Sequence, residues 1–186
     1  PANTVSYADS SLTGSTTYYY RIKALGQFAE SNLIENLNTN ITEAKWLFNN
    51  NANDSSGNGR TLTPVGTPTY DAVNKKEGTH AVSLNGTTQS MTIPATSSWL
   101  QNSYSQKTIA FWMRSASNTG SRIVADIGGS DDGLALMLNS NTLIAGVASN
   151  NSRSSFSTPY TSTGWNHIAL VYKSNSLVLY VNGVQA

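Results

Sequence analysis

Apolar and polar residues alternate with a period of two over much of the second half of the chain. From Thr108 to Arg114, Ile109, Phe111 and Met113 fall on one face, with Ala110 and Trp112 on the other. Leu134, Leu136 and Leu138 alternate with Ala135 and Met137. Trp165 to Tyr172 repeats the pattern, and Leu177 to Val181 is rich in β-branched and aromatic side chains. Period two places successive side chains on opposite faces of a strand. Turn-forming clusters at Ser117–Gly120, Gly128–Gly133 and Asn139–Asn141 separate these segments. Short strands at such spacing predict an all-β sandwich or barrel. Two strands carry large apolar side chains on both faces. That predicts central antiparallel strands covered on each side, or a concave face lined with aromatics. The exception is Ser97–Asn102, which reads as a short helical turn around Trp99 and Leu100.

Composition narrows the function classes. Charged residues make up 11% of the chain, against about 25% in a typical soluble domain. Ser, Thr, Asn and Gly fill the gap, and these suit turns and exposed strand faces. Net charge is +1, and Lys75-Lys76 is the only basic doublet. Nucleic-acid binding needs several Lys or Arg on phosphates, so that class is excluded. With no cysteine there is no disulfide and no thiolate metal site. No apolar run approaches the roughly 20 residues of a membrane span. The start, Pro1-Ala2-Asn3, has no basic or apolar signal character. If the protein is secreted, its export signal is expected upstream.

A composition shift between Ser31 and Thr42 (SNLIENLNTNIT) has no turn glycine and little alternation. Residues 34–43 are read as a linker or exchanged strand. Before it, Leu12-x-Gly14-x-Thr16-x-Tyr18-x-Tyr20-x-Ile22-x-Ala24 resembles the C-terminal part of a fibronectin type III domain. The resemblance implies that Tyr18 closes a tyrosine corner, and that residues 1–33 are a partial immunoglobulin-like β-sandwich. The alternative is a lone β-hairpin belonging to the following domain.

From Ala44 onward six segments run in order. They are Trp46-Leu47-Phe48, Asp54 to Gly59, Gly78-x-x-Ala81-x-x-Leu84-Asn85-Gly86, Ile109 to Met113, Trp165 to Leu170, and Tyr180-Val181-Asn182-Gly183. Together they resemble the laminin G-like, concanavalin A-type lectin/glucanase superfamily. The resemblance implies an antiparallel jelly-roll sandwich over residues 44–186, with further strands expected beyond Ala186. Asn182-Gly183 reads as a tight hairpin turn, and the strand after it is expected to be missing. The fold hosts lectins, adhesins, enzymes and spacers, so function has to come from a site.

Catalysis is not expected. Glycosidases need two carboxylates flanking the bond. The four glutamates, Glu30, Glu35, Glu43 and Glu77, include no pair two or four residues apart on a predicted core strand. His80 and His167 are far apart in sequence, and His167 reads as a hydrogen-bonded core residue. Calcium is the cofactor to consider, because it takes hard oxygen ligands. Two loops offer them, through Asp54 and Asn58 and through Asp131 and Asp132. The second resembles the laminin G calcium loop, and plain turn residues are the alternative at both. Sugar binding would use an aromatic platform, for which Trp99, Tyr104, Phe156 and Tyr160 are candidates. Trp46, Trp112 and Trp165 read as core. A polar rim of Asn118, Asn150, Asn151, Ser152 and Arg153 would bond hydroxyls. The tandem resemblance implies an adhesion or carbohydrate-binding module of a large secreted or cell-surface, bacterial multidomain protein. Its partners would be an extracellular glycan or cell-surface protein and other domains of the same longer chain. A spacer without its own ligand, and an accessory domain of an extracellular glycosidase, are the alternatives.

Overall fold

The computed structural model describes residues 43–93, 104–128, 132–149, 152–173 and 175–186. The fibronectin-like segment 1–33, linker residues 34–42 and the turn around Trp99 lie outside them. Twelve strands are described, every pairing among them is antiparallel, and no helix occurs among the described residues.

Two four-stranded sheets form the body. One is a meander of β6 (Ser121–Gly128), β7 (Gly133–Asn139), β8 (Thr142–Ser149) and β9 (Ser152–Pro159). The other is ordered β12-β11-β10-β5, from β5 (Gln106–Met113), β10 (Asn166–Lys173), β11 (Ser176–Val181) and β12 (Val184–Gln185). The chain therefore leaves the second sheet after β5, builds the whole meander, and returns for β10. Two short ribbons precede the body: β1 (Thr63–Val65) with β4 (Ser90–Thr92), and β2 (Thr69–Asp71) with β3 (Ala81–Ser83).

The predicted alternation sets which faces meet. Leu134, Leu136, Leu138, Leu143 and Ala145 of the meander pack with Ile168, Leu170 and Leu179 of the second sheet, all at most 1% exposed. Ile109, Phe111 and Met113 close the core from β5. At about 25 cal/mol per Å² of apolar surface removed from water, each such leucine contributes roughly 1.5–3 kcal/mol.

Turns follow their residues. Ser140 and Asn141 (φ 44° and 64°) join β7 to β8, and Asn182 and Gly183 (φ 53° and 80°) join β11 to β12. Positive φ at both central residues matches the right-handed twist of a hairpin. The Asn182 amide also accepts from the His167 N–H at 2.8 Å and donates to Asn166 Oδ1 at 2.8 Å. The strand expected to be missing is present in short form, because Val184 and Gln185 pair back with Val181 and Tyr180.

Trp112 and His167, expected in the core, sit instead on the outer face of the second sheet, half-buried. Their rings meet edge to face at 5.2 Å. A loop covers Trp112: Lys76 lies 4.7 Å over its ring, and its indole N–H donates to Glu77 Oε1 at 2.8 Å.

Candidate functional site

Six of the eight expected site residues lie among the described residues. Trp99 and Asp131 lie outside the described residues. Tyr160 is 4% exposed, and its hydroxyl accepts from Asn166 Nδ2 at 3.0 Å. Phe156 points from β9 into the core beside Ala145. Both rings pack against the core, Tyr160 fully and Phe156 in part.

Tyr104 ties the meander at the end where β5 begins. Its hydroxyl donates to the Gly133 carbonyl at 2.8 Å, with the Ala148 carbonyl at 3.4 Å, and its ring meets Tyr172 edge-on at 5.5 Å. Burial pushes the phenol up to about 12, with Asp132 and Tyr172 adding to the shift. Lys107 Nζ lies 3.7 Å over the Tyr104 ring, is buried, and has no hydrogen-bond partner among the described residues. Burial pulls its pKa down, against the opposing pull of the Asp132 carboxylate.

Asp54 holds the first loop together. Oδ1 accepts the N–H of Lys45 (2.9 Å) and of Ser56 (2.8 Å), and Oδ2 accepts the Ser56 hydroxyl (2.8 Å) and the Arg60 N–H (2.9 Å). Desolvation raises its pKa, but these four donors outweigh it and hold the carboxyl well below its usual range. A carboxylate has about four lone-pair directions, and all four are taken. Asn58 donates to the Glu43 carbonyl at 3.1 Å. Asp54 does not fit a calcium ion, which would need those same carboxylate oxygens. Asp132 lies close enough to Lys107 for a cation there to face an ammonium. No cluster of three or more His, Cys, Asp or Glu suited to a metal occurs among the described residues.

A different feature emerges on the outer face of the meander. A shallow, open groove of about 480 Å³ crosses it. Its floor is the register row Asp126–Ala135–Gly146–Ser155, flanked by Gly128–Gly133–Ala148–Arg153. A bulge on β6 aims Asp126 outward. The register shifts between Ile123 and Ala125, so Val124 is extra, and both Val124 and Ile127 pack on the core. Strict alternation from Val124 would have buried Asp126. Three strand spacings put Asp126 and Ser155 about 14 Å apart across the floor.

Gly146 is the informative floor residue. Its φ lies outside the positive region, and an added Cβ would meet nothing closer than the Ser154 carbonyl oxygen at 3.9 Å. Neither backbone geometry nor crowding requires glycine there. Glycine inside a strand weakens it, and often marks a place where a ligand approaches the backbone.

The profile described as Concanavalin A-like lectin/glucanases superfamily matches residues 85–186. The chain belongs to this superfamily. The match spans β4 to β12, which includes both four-stranded sheets and the whole groove. No curated protein matches the chain. Among solved structures, a botulinum neurotoxin type C structure, described by cell entry dependent on two ganglioside molecules, aligns with TM-score 0.56 and 16% identity. It covers 78% of this chain and 38% of that one. The binding domain of botulinum neurotoxin DC, in complex with rat synaptotagmin II, aligns with TM-score 0.51 and 14% identity, over 72% and 35%. At these identities the likeness is one of fold alone, and this chain spans little more than a third of those chains.

The groove escaped the sequence reading, although a signal for it was present. Ala135, Gly146 and Ala148 are small residues at the alternate positions of two strands whose other faces are apolar and buried.

Proposed function

We propose that this chain is a non-catalytic binding module for extracellular glycans, with its ligand site in the groove across β6–β9. The carrying observation is the floor of Ala135, Gly146 and Ala148, unfilled by side chains and flanked by Asp126, Arg153 and serine hydroxyls. Small floor residues let a flat polar ligand reach backbone and hydroxyl donors, and a few placed polar groups orient it. Among the described residues the groove lining carries one carboxylate, Asp126, whereas glycoside hydrolysis uses two. Superfamily membership supports a lectin-like role. The toxin structures named above, one described by its interaction with gangliosides and one as a binding domain in complex with synaptotagmin, share this fold. A secreted or cell-surface setting, with other domains of a longer chain beside it, suits this role. Among the described residues no helix is long and apolar enough to cross a membrane.

A glycan array with the 186-residue chain tests the proposal, repeated with Gly146→Leu. The added side chain occupies the floor without a backbone clash. Binding should fall at least tenfold while the melting temperature holds. Undiminished binding by Gly146→Leu, or no binding to any glycan, would sink the reading.

A further inference from the structure

We infer that the groove's ligand is a saccharide without net charge that carries an acyl substituent, seated with the acyl group on Ile123, Met137 and Ile144. The inference rests on the glycan reading above and narrows it to a ligand class.

The next register row along the outer face runs Ile123–Met137–Ile144–Ser157. Ile123 is 69% exposed, while Met137 and Ile144 are half-buried. An outward sheet face in water is normally polar, and three adjacent apolar side chains here break that rule. The row lies two residues from the Gly146 row along β7 and β8, about 7 Å away. A pyranose ring on the Gly146 floor would therefore place a ring substituent over the apolar row. At the end of that row stands the exposed Ser157, whose hydroxyl can donate to an acyl carbonyl. A methyl on Ile144 and a carbonyl at Ser157 are the two ends of an acylamino group.

Charge points the same way. Among the described residues the groove lining holds one anion, Asp126, and one cation, Arg153, on opposite edge strands. Opposite signs at the two rims give no preference for a net-charged ligand, while both groups can accept from or donate to hydroxyls. Among the described residues the lining contains no aromatic ring, so the apolar row rather than ring stacking supplies the selectivity.

Calorimetric titration of the 186-residue chain with two β-1,4-linked tetrasaccharides, one of N-acetylglucosamine and one of glucose, tests this. Both are uncharged and differ at the 2-substituent. The acetylated ligand should bind about fourfold tighter or more, the gain from one buried methyl-sized group. Ile144→Thr keeps a β-branched strand residue and should erase the preference without weakening the glucose ligand; Met137→Gln should do the same. Equal affinity for the two ligands, or a preference that survives both variants, overturns the acyl inference and leaves the glycan reading standing. Binding of neither ligand, together with an empty glycan array, overturns both.

Discussion

Replacing Gly146 by alanine separates what the fold needs from what the groove needs. The added Cβ makes only ordinary contacts, 3.9 Å from the Ser154 carbonyl oxygen and 4.0 Å from Ser155 Cβ. The unfolded chain loses conformational freedom, so the variant should gain about 0.4–1 kcal/mol. For a chain of this length that raises Tm by about 1–4 °C. Gly128→Ala is the contrasting case. Its φ is +102°, and a Cβ would sit 2.0 Å from the Asp132 carbonyl oxygen and 2.8 Å from Gly133 Cα. Backbone must move there, at a cost of about 1–3 kcal/mol, lowering Tm by about 2–12 °C. Thermal and urea unfolding of both variants, followed by circular dichroism, reads the difference. Gly146→Ala should also bind saccharide more weakly than the native chain despite its higher Tm. If Gly146→Ala lowered stability, glycine would be serving the strand itself, and the argument that the floor is kept open for a ligand would fail.

Other perturbations address the core, the buried lysine and the loops. Leu136→Ala, at 1% exposure, should cost about 2–5 kcal/mol through lost transfer energy and the residual cavity, measurable by urea unfolding. Lys107 has a folded pKa below its unfolded value, so the unfolded state holds more protons and stability should rise with pH from the folded pKa toward 10.5. Lys107→Met should remove that rise in a pH series of melting curves, and an unchanged slope would refute the burial of its ammonium. Tyr104 runs the other way: its phenol is raised to about 12, so stability should fall between about pH 10 and 12 as the unfolded chain ionises first. Tyr104→Phe should lessen that fall, leaving the part due to the buried Tyr160, while losing about 1 kcal/mol at neutral pH with the hydrogen bond to Gly133. Asp54, held below its ordinary 3.8, stabilises the first loop above that pH and loses this effect as pH drops through its folded value. Asp54→Asn should speed amide exchange at Ser56 and Arg60, and unchanged exchange would contradict its role.

Some residues declared their role by local pattern. Ile109, Phe111 and Met113, and Leu134, Leu136 and Leu138, face the core as period two predicts, because burial of one face fixes the register of a strand. The same period carries Lys107 inward, two residues before Ile109; chemistry argues against a lysine there, yet strand geometry prevails. Asn182-Gly183 announced its turn because only residues tolerant of positive φ suit it. Tyr104, Phe156 and Tyr160 were harder to place, since an aromatic in or beside a strand looks the same whether it packs inward or faces solvent. That choice depends on the opposing sheet.

The sequence by itself therefore determined the strands, their buried faces and their tight turns, all properties of residues close together along the chain. Only the tertiary structure decided the site. The groove joins Asp126, Ala135, Gly146 and Ser155, which are about ten residues apart and become neighbours only through register. One extra residue at Val124 turns Asp126 from core to surface. Such a bulge depends on how β6 pairs with β7 and packs on the core, and period-two reading has no means of counting it.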